Sequence, residues 1–166
     1  FIRNTGPSLS PFNAWILLKG IETLELRVNR QTQSAKDIVK YLKQSSKIGR
    51  IYYPTDSGFR QKQITKKQMI DGGSIISFEL KSIKEKEKKV AFSFLNKLKL
   101  AEISNNLGDS KTLITHPYTT THHKLTLDEK ISLRITKNLV RLSVGLEDST
   151  DIIKDIDNAL KKAKNK

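Results

Sequence analysis

Cysteine is missing from all 166 residues. That absence excludes disulfides, thiolate metal sites and a cysteine nucleophile, and it fits a reducing compartment. No run of 18 apolar residues occurs, so nothing reads as a membrane-spanning helix. The first residues, Phe1, Ile2, Arg3, Asn4, Thr5, Gly6 and Pro7, have neither the charged start nor the apolar centre of a signal peptide. The expectation is a soluble cytoplasmic protein with no membrane partner. Acid is scarce against base: 17 Asp and Glu face 31 Lys and Arg, a formal net charge of +14.

A balance this basic raises the case for a nucleic-acid or other anionic partner, and the distribution of the charge decides it. Lysines are scattered from Lys19 to Lys166. Their densest run, Lys84-Glu85-Lys86-Glu87-Lys88-Lys89, alternates with acid as a solvated helix start does. No basic stripe interleaves with aromatics, and no recognition-helix, zinc-finger or RNA-binding sheet signature is present. General lysine enrichment therefore outweighs nucleic-acid binding. Hydrophobic residues still make up 36% of the chain, enough Ile, Leu, Phe and Val for one folded core.

Hydrophobic periodicity sets the elements. Ser10-Pro11 is a helix start, because serine caps free amides and proline is tolerated at the first helical position. From residue 12 to 42 no proline occurs and Gly20 is the only glycine, so this stretch is one very long helix or two joined near Gly20. Its opening, Phe12-Asn13-Ala14-Trp15-Ile16-Leu17-Leu18, is apolar nearly all round and calls for burial on every side. Strands are expected at 48–53, 74–80, 100–104, 112–116 and around Arg141, with helices at 61–69, 85–98, 127–133 and 149–164. Gly72-Gly73 lacks the spacing of a phosphate loop and reads as a turn. The fold class is an α/β (α+β) two-layer sandwich, with four or five mainly antiparallel strands and helices on one face. Residues 1–45 form an arm and a long linking helix, and residues 46–166 an α/β domain.

The stretch Asn138-Leu139-Val140-Arg141-Leu142-Ser143-Val144 alternates apolar and polar groups, which turns Arg141 away from the core. A guanidinium on a rigid strand can grip a carboxylate through two parallel hydrogen bonds. A solvated or salt-bridged arginine on an open sheet face gives the same pattern. His116, His122 and His123 are the only histidines. No Asp or Glu accompanies them at ligand spacing, and no serine sits in a nucleophile elbow, so neither a metal site nor a hydrolytic triad is indicated.

Several ordered blocks resemble one enzyme family: Ser10-Pro11-Phe12-Asn13-Ala14-Trp15, Gly20-Ile21-Glu22-Thr23-Leu24, Ser104-Asn105-Asn106-Leu107-Gly108-Asp109, Thr115-His116-Pro117 with Thr120-Thr121-His122, and Val140-Arg141-Leu142-Ser143-Val144-Gly145-Leu146-Glu147-Asp148. These appear in the order seen in the pyridoxal-phosphate enzymes of cysteine and methionine metabolism, which include cystathionine gamma-synthase and the O-succinylhomoserine sulfhydrylases. The resemblance implies the small C-terminal domain of a fold-type I pyridoxal-phosphate enzyme, entered through a long linking helix. It implies that Arg141 holds the substrate's α-carboxylate, that Asn106 and Leu107 line the same pocket, and that Thr121 lies in a loop at its mouth. Asn106 departs from the serine common at that turn, and Phe59-Arg60 from a common His-Pro pair.

The family's Schiff-base lysine, pyridinium-facing acid, stacking tyrosine and phosphate loop belong to stretches that would precede Phe1. The expectation is therefore the C-terminal domain of a split or truncated transsulfuration enzyme. It would be inactive alone and completed by an N-terminal cofactor-domain chain in trans, as a homotetramer. The alternative is a non-catalytic basic module that binds RNA or another polyanion through its charge.

Overall fold

In a computed structural model, residues 9–83 and 85–163 are described. The arm expected before Leu9 and the last turn expected to reach Lys164 lie outside them. Among the described residues there are six α-helices and five strands. In chain order they are α1 Pro11–Glu22, α2 Leu24–Gln44, β1 Ile48–Tyr52, α3 Lys62–Gln68, β2 Ile75–Leu80, α4 Glu87–Leu95, β3 Glu102–Ile103, β4 Leu113–Thr115, α5 Leu127–Ser132, β5 Leu139–Ser143 and α6 Ser149–Lys162. No helix among them is long and apolar enough to cross a membrane.

The long helical stretch is two helices, and they part at Thr23 rather than at Gly20, which is an ordinary α1 residue. The break leaves the Gly20 carbonyl without its ladder donor, and Arg27 Nη1 takes it at 2.9 Å. Ser10 caps α1 as the sequence implies, its hydroxyl accepting from the Asn13 N–H at 3.2 Å. No residue of α1 is buried; Phe12, Trp15 and Ile21 are 64%, 56% and 63% exposed. Beyond the break the pattern becomes amphipathic, and α2 buries Ala35, Ile38, Val39 and Leu42.

The strands form one sheet in the order β1-β2-β5-β4-β3, antiparallel throughout except for the parallel β3–β4 pair. Register pairs Ile76 with Leu142 and Phe78 with Val140, so these four share a face, with Ile114 beside Leu142. The buried stripes of α2, α4 and α6 pack on that face. Phe78 meets Phe94 of α4 edge to face, centroids 6.1 Å apart. Burying apolar stripes from sheet and helices against each other is what holds the two layers together.

Asp155 does something the sequence did not announce. An acid on a helix rich in charge, it is nevertheless buried. Its carboxylate accepts the N–H groups of Lys99 at 2.8 Å, Leu100 at 2.9 Å and Ala101 at 3.1 Å. This fastens the segment between α4 and β3, and it helps explain why β3 shrinks to two residues where 100–104 was expected.

Two tight places depend on the backbone. Gly73 has φ 72°, a left-handed conformation that glycine adopts freely, and its carbonyl accepts from Tyr53 Oη at 2.9 Å; burial pushes the Tyr53 phenol up to about 12. The diglycine is thus a turn under a tyrosine. Arg134 has φ 58° at the end of α5, where Arg134 N–H donates to Ile131 O at 3.0 Å and Ile135 N–H to Lys130 O at 2.8 Å. That is the position where helices favour glycine. Arg134→Gly should raise stability by roughly 0.5–1 kcal/mol, the relief of left-handed strain being partly offset by glycine's freedom in the unfolded chain. A melting temperature below that of the parent would contradict this.

Candidate functional site

Arg141 sits at the middle of β5, facing away from the layer of α2, α4 and α6. Register places Ser77 of β2 and Thr115 of β4 directly beside it, with Tyr52 of β1 next to Ser77. This face is less open than the sequence implies. Leu113, Thr115, Leu139 and Ser143, which share it, are all buried. Part of the cover is the turn over 105–108, which folds back towards the Ser143 end: Gly108, with φ 79°, donates its N–H to Ser143 Oγ at 2.9 Å.

Arg141 is half-buried. Its Nη2 donates to the Asn105 carbonyl at 2.8 Å and lies 3.5 Å from the Asn106 carbonyl. Burial lowers its pKa from the ordinary arginine value, and no carboxylate among the described residues opposes it. A guanidinium removed from water with neutral carbonyls as its only partners is electrostatically incomplete. It can still accept an oxyanion through its remaining N–H groups.

A hydroxyl network extends from there. Thr115 Oγ1 donates to Asn105 Oδ1 at 2.9 Å and lies 3.0 Å from Thr120 Oγ1, which donates to the His116 carbonyl at 2.8 Å. The structure thus joins Arg141, Asn105, Asn106 and Thr120. Leu107 belongs to the same turn and is 58% exposed. Thr121 stands outside this network: its hydroxyl is 2.8 Å from His122 Nδ1. The sequence assigns no role to Asn105 or Thr115, and places Thr120 only in the loop at the pocket mouth. Thr115 was findable, since the period of two along β4 puts it on the Arg141 side.

His116 is buried, with Nε2 2.9 Å from the Lys137 carbonyl and Nδ1 2.8 Å from Thr119 Oγ1. A carbonyl only accepts, so Nε2 carries the proton and Nδ1 accepts from the hydroxyl. Burial, aided by the Lys88 charge and opposed by the Lys137 carbonyl, lowers the pKa below the ordinary 6.5. The unfolded chain therefore binds the proton more readily. Stability should fall as pH drops through 6.5 towards the folded-state value, then level off. Thermal midpoints measured across this window should slope less in His116→Gln; an unchanged slope would place the titration elsewhere.

The residues after β5 build the frame. Gly145 N–H donates to Thr112 Oγ1 at 2.9 Å, and a Cβ there would overlap the Lys111–Thr112 peptide. Glu147 accepts from Thr112 N–H and Oγ1, both at 2.8 Å. Asp148 caps α6 through the Thr150 N–H at 2.9 Å. The block that follows Arg141 thus locks β5 to β4 and starts the last helix.

The fold, one mixed sheet with a helix layer packed on its apolar face, recurs in solved fold-type I pyridoxal-phosphate enzymes. One crystal structure, named as an O-acetylhomoserine (thiol)-lyase from Campylobacter jejuni and carrying N'-pyridoxyl-lysine-5'-monophosphate, matches with a TM-score of 0.89 at 37% identity, over 96% of this chain and 37% of that one. A cystathionine gamma lyase from Micromonospora echinospora matches with a TM-score of 0.83 at 31% identity, over 90% of this chain and 38% of that one. Residues 1–161 match the profile of one family, and the chain belongs to it: the Cys/Met metabolism PLP-dependent enzymes. Among curated relatives, the O-succinylhomoserine sulfhydrylase of Mycobacterium tuberculosis is 43% identical over 96% of this chain and 39% of its own length. The L-methionine gamma-lyase of Fusobacterium nucleatum is 44% identical over 95% and 39%. The chain thus spans about two fifths of the length of these relatives.

The described residues do not by themselves fit the cofactor. A lysine that condenses with an aldehyde needs a free amine, which burial or a neighbouring cation provides. The one buried lysine among them, Lys130, has Nζ 3.3 Å from the His123 carbonyl and 4.4 Å from the centre of the Tyr118 ring. Its Nζ is thus already engaged by a carbonyl and a ring face.

Proposed function

We propose that this chain is the substrate-binding domain of a pyridoxal-phosphate-dependent transsulfuration enzyme of the O-succinylhomoserine sulfhydrylase or cystathionine gamma-synthase type. The observation that carries this reading is Arg141: half-buried, rigidly mounted, and without a carboxylate among the described residues. On this reading its unused N–H groups take the α-carboxylate of an amino-acid substrate. The Asn105 carbonyl holds the guanidinium in place, and Asn106 and Leu107 form the adjoining wall. Thr121 lies farther out, at the mouth. The cofactor, when bound, supplies an electron sink for carbanion chemistry; its lysine and phosphate site belong to protein outside this chain. The exposed apolar α1 supports that division, since a helix apolar on all sides calls for cover. The completed enzyme is a cytoplasmic homotetramer, and this polypeptide alone does not turn over substrate.

The test is co-expression with a cofactor domain from a relative. Joint purification, the visible absorption band of bound pyridoxal phosphate and sulfhydrylase activity with a homoserine ester are the expected results. Turnover by the purified chain alone would overturn the reading. Failure to co-purify with any cofactor domain, with RNA retained at moderate salt, would favour the polyanion-binding alternative.

A further inference from the structure

A second cationic feature lies on the same sheet face, towards β1 and away from the turn that Arg141 grips. A cavity of about 930 Å³ is lined by Arg50, Arg60 and Arg134 around Tyr52, Phe59 and Ile135. It continues into a second of about 610 Å³ that shares Arg50, Tyr52, Arg134 and Ile135. Three guanidinium groups from three separate elements therefore border one groove: β1, the turn before α3 and the end of α5. The acids on its rim are Glu79 and Glu87. Glu79 accepts from Tyr52 Oη at 2.9 Å, and Arg50 lies by the same Tyr52–Glu79 pair. No acid among the described residues forms an ion pair with Arg60 or Arg134. Arg134, moreover, holds a left-handed backbone position that glycine would occupy at lower cost. A strained residue aimed into a cavity points to a role for its side chain beyond folding.

We propose that this groove is a second binding site, for a small organic anion bearing two or more carboxylate or phosphate groups. Guanidinium forks match both oxyanions bidentately, three of them call for more than one negative charge, and the ring-lined floor accommodates an apolar body. The site is separate from the Arg141 clamp and does not depend on the role proposed for it.

Arg134→Gly makes the test clean, because it removes the guanidinium while relaxing the backbone. Lys40→Ala, which removes a charge from exposed α2 surface on the helix side, is the control. Succinate and pyrophosphate are titrated calorimetrically into the 166-residue chain at fixed ionic strength. Saturable binding of at least one is expected, weakened about tenfold or more in Arg134→Gly and less than about twofold in Lys40→Ala, with Arg141→Ala leaving it unchanged. Tighter pyrophosphate binding assigns a phosphate ligand, and tighter succinate binding a dicarboxylate. No saturation by either, equal affinity in Arg134→Gly, or equal loss in Lys40→Ala overturns the proposal. Loss in Arg141→Ala alone would move the anion site to the clamp and also overturn it.

Discussion

Asp155→Ala should lower stability by about 3–4 kcal/mol, because it removes a charged acceptor and strands three backbone donors at once. Lys99, Leu100 and Ala101 N–H groups all end on that one carboxylate, at 2.8–3.1 Å. Ala101 is buried, so water does not replace the lost acceptor there. For a chain of this size the melting temperature should drop by roughly 10 °C. Asp155→Asn keeps the shape but turns an amide N–H towards one of the donors, and should cost about 2 kcal/mol. Because 99–101 leads into β3 and then to the 105–108 turn, protection of the Gly108 amide against hydrogen exchange should fall as well. A melting temperature within 2 °C of the parent in Asp155→Ala would mean that the three amides find other acceptors, and the anchoring role would be lost.

Much of this architecture was legible because hydrophobic period is a local property. The alternation in β2 and β5 placed Arg141 opposite Val140 and Leu142, and Ser10-Pro11 gave the start of α1. What escaped was contact made at long range. No pattern within α6 distinguishes Asp155, whose amides lie more than 50 positions away, from Asp157, which accepts from Tyr41 Oη at 2.9 Å. The break near Gly20 was legible, but its exact place was not: Gly20 is the residue that propensity alone condemns, whereas the helices part at Thr23 and the freed carbonyl is held by the Arg27 side chain. The cover over the Arg141 face escaped for a like reason: nothing local in Gly108 reveals that its N–H seeks Ser143. The family resemblance named the loops around Arg141, and only the fold revealed Asn105 and Thr115 as the residues that fasten them.

In the completed enzyme, Arg141→Ala should reduce kcat/KM by roughly 10²–10³, the equivalent of about 3–4 kcal/mol for a two-pronged, partly desolvated carboxylate contact. Most of that loss should appear as a higher KM for the homoserine ester, since on the proposed reading an α-carboxylate gripped by Arg141 contributes alike to ground and transition states. Arg141→Lys should recover only part of it, because an ammonium offers a point charge where the fork offered two parallel bonds. Folding should hardly register the change: the guanidinium's partner, the Asn105 carbonyl at 2.8 Å, is in an exposed turn and can turn to water. A melting temperature near that of the parent together with a collapsed kcat/KM separates a carboxylate clamp from a structural arginine, which would move stability first. Equal kinetics in Arg141→Ala and the parent would return Arg141 to the rank of a sheet-face cation and leave the substrate's carboxylate to be held by some other group.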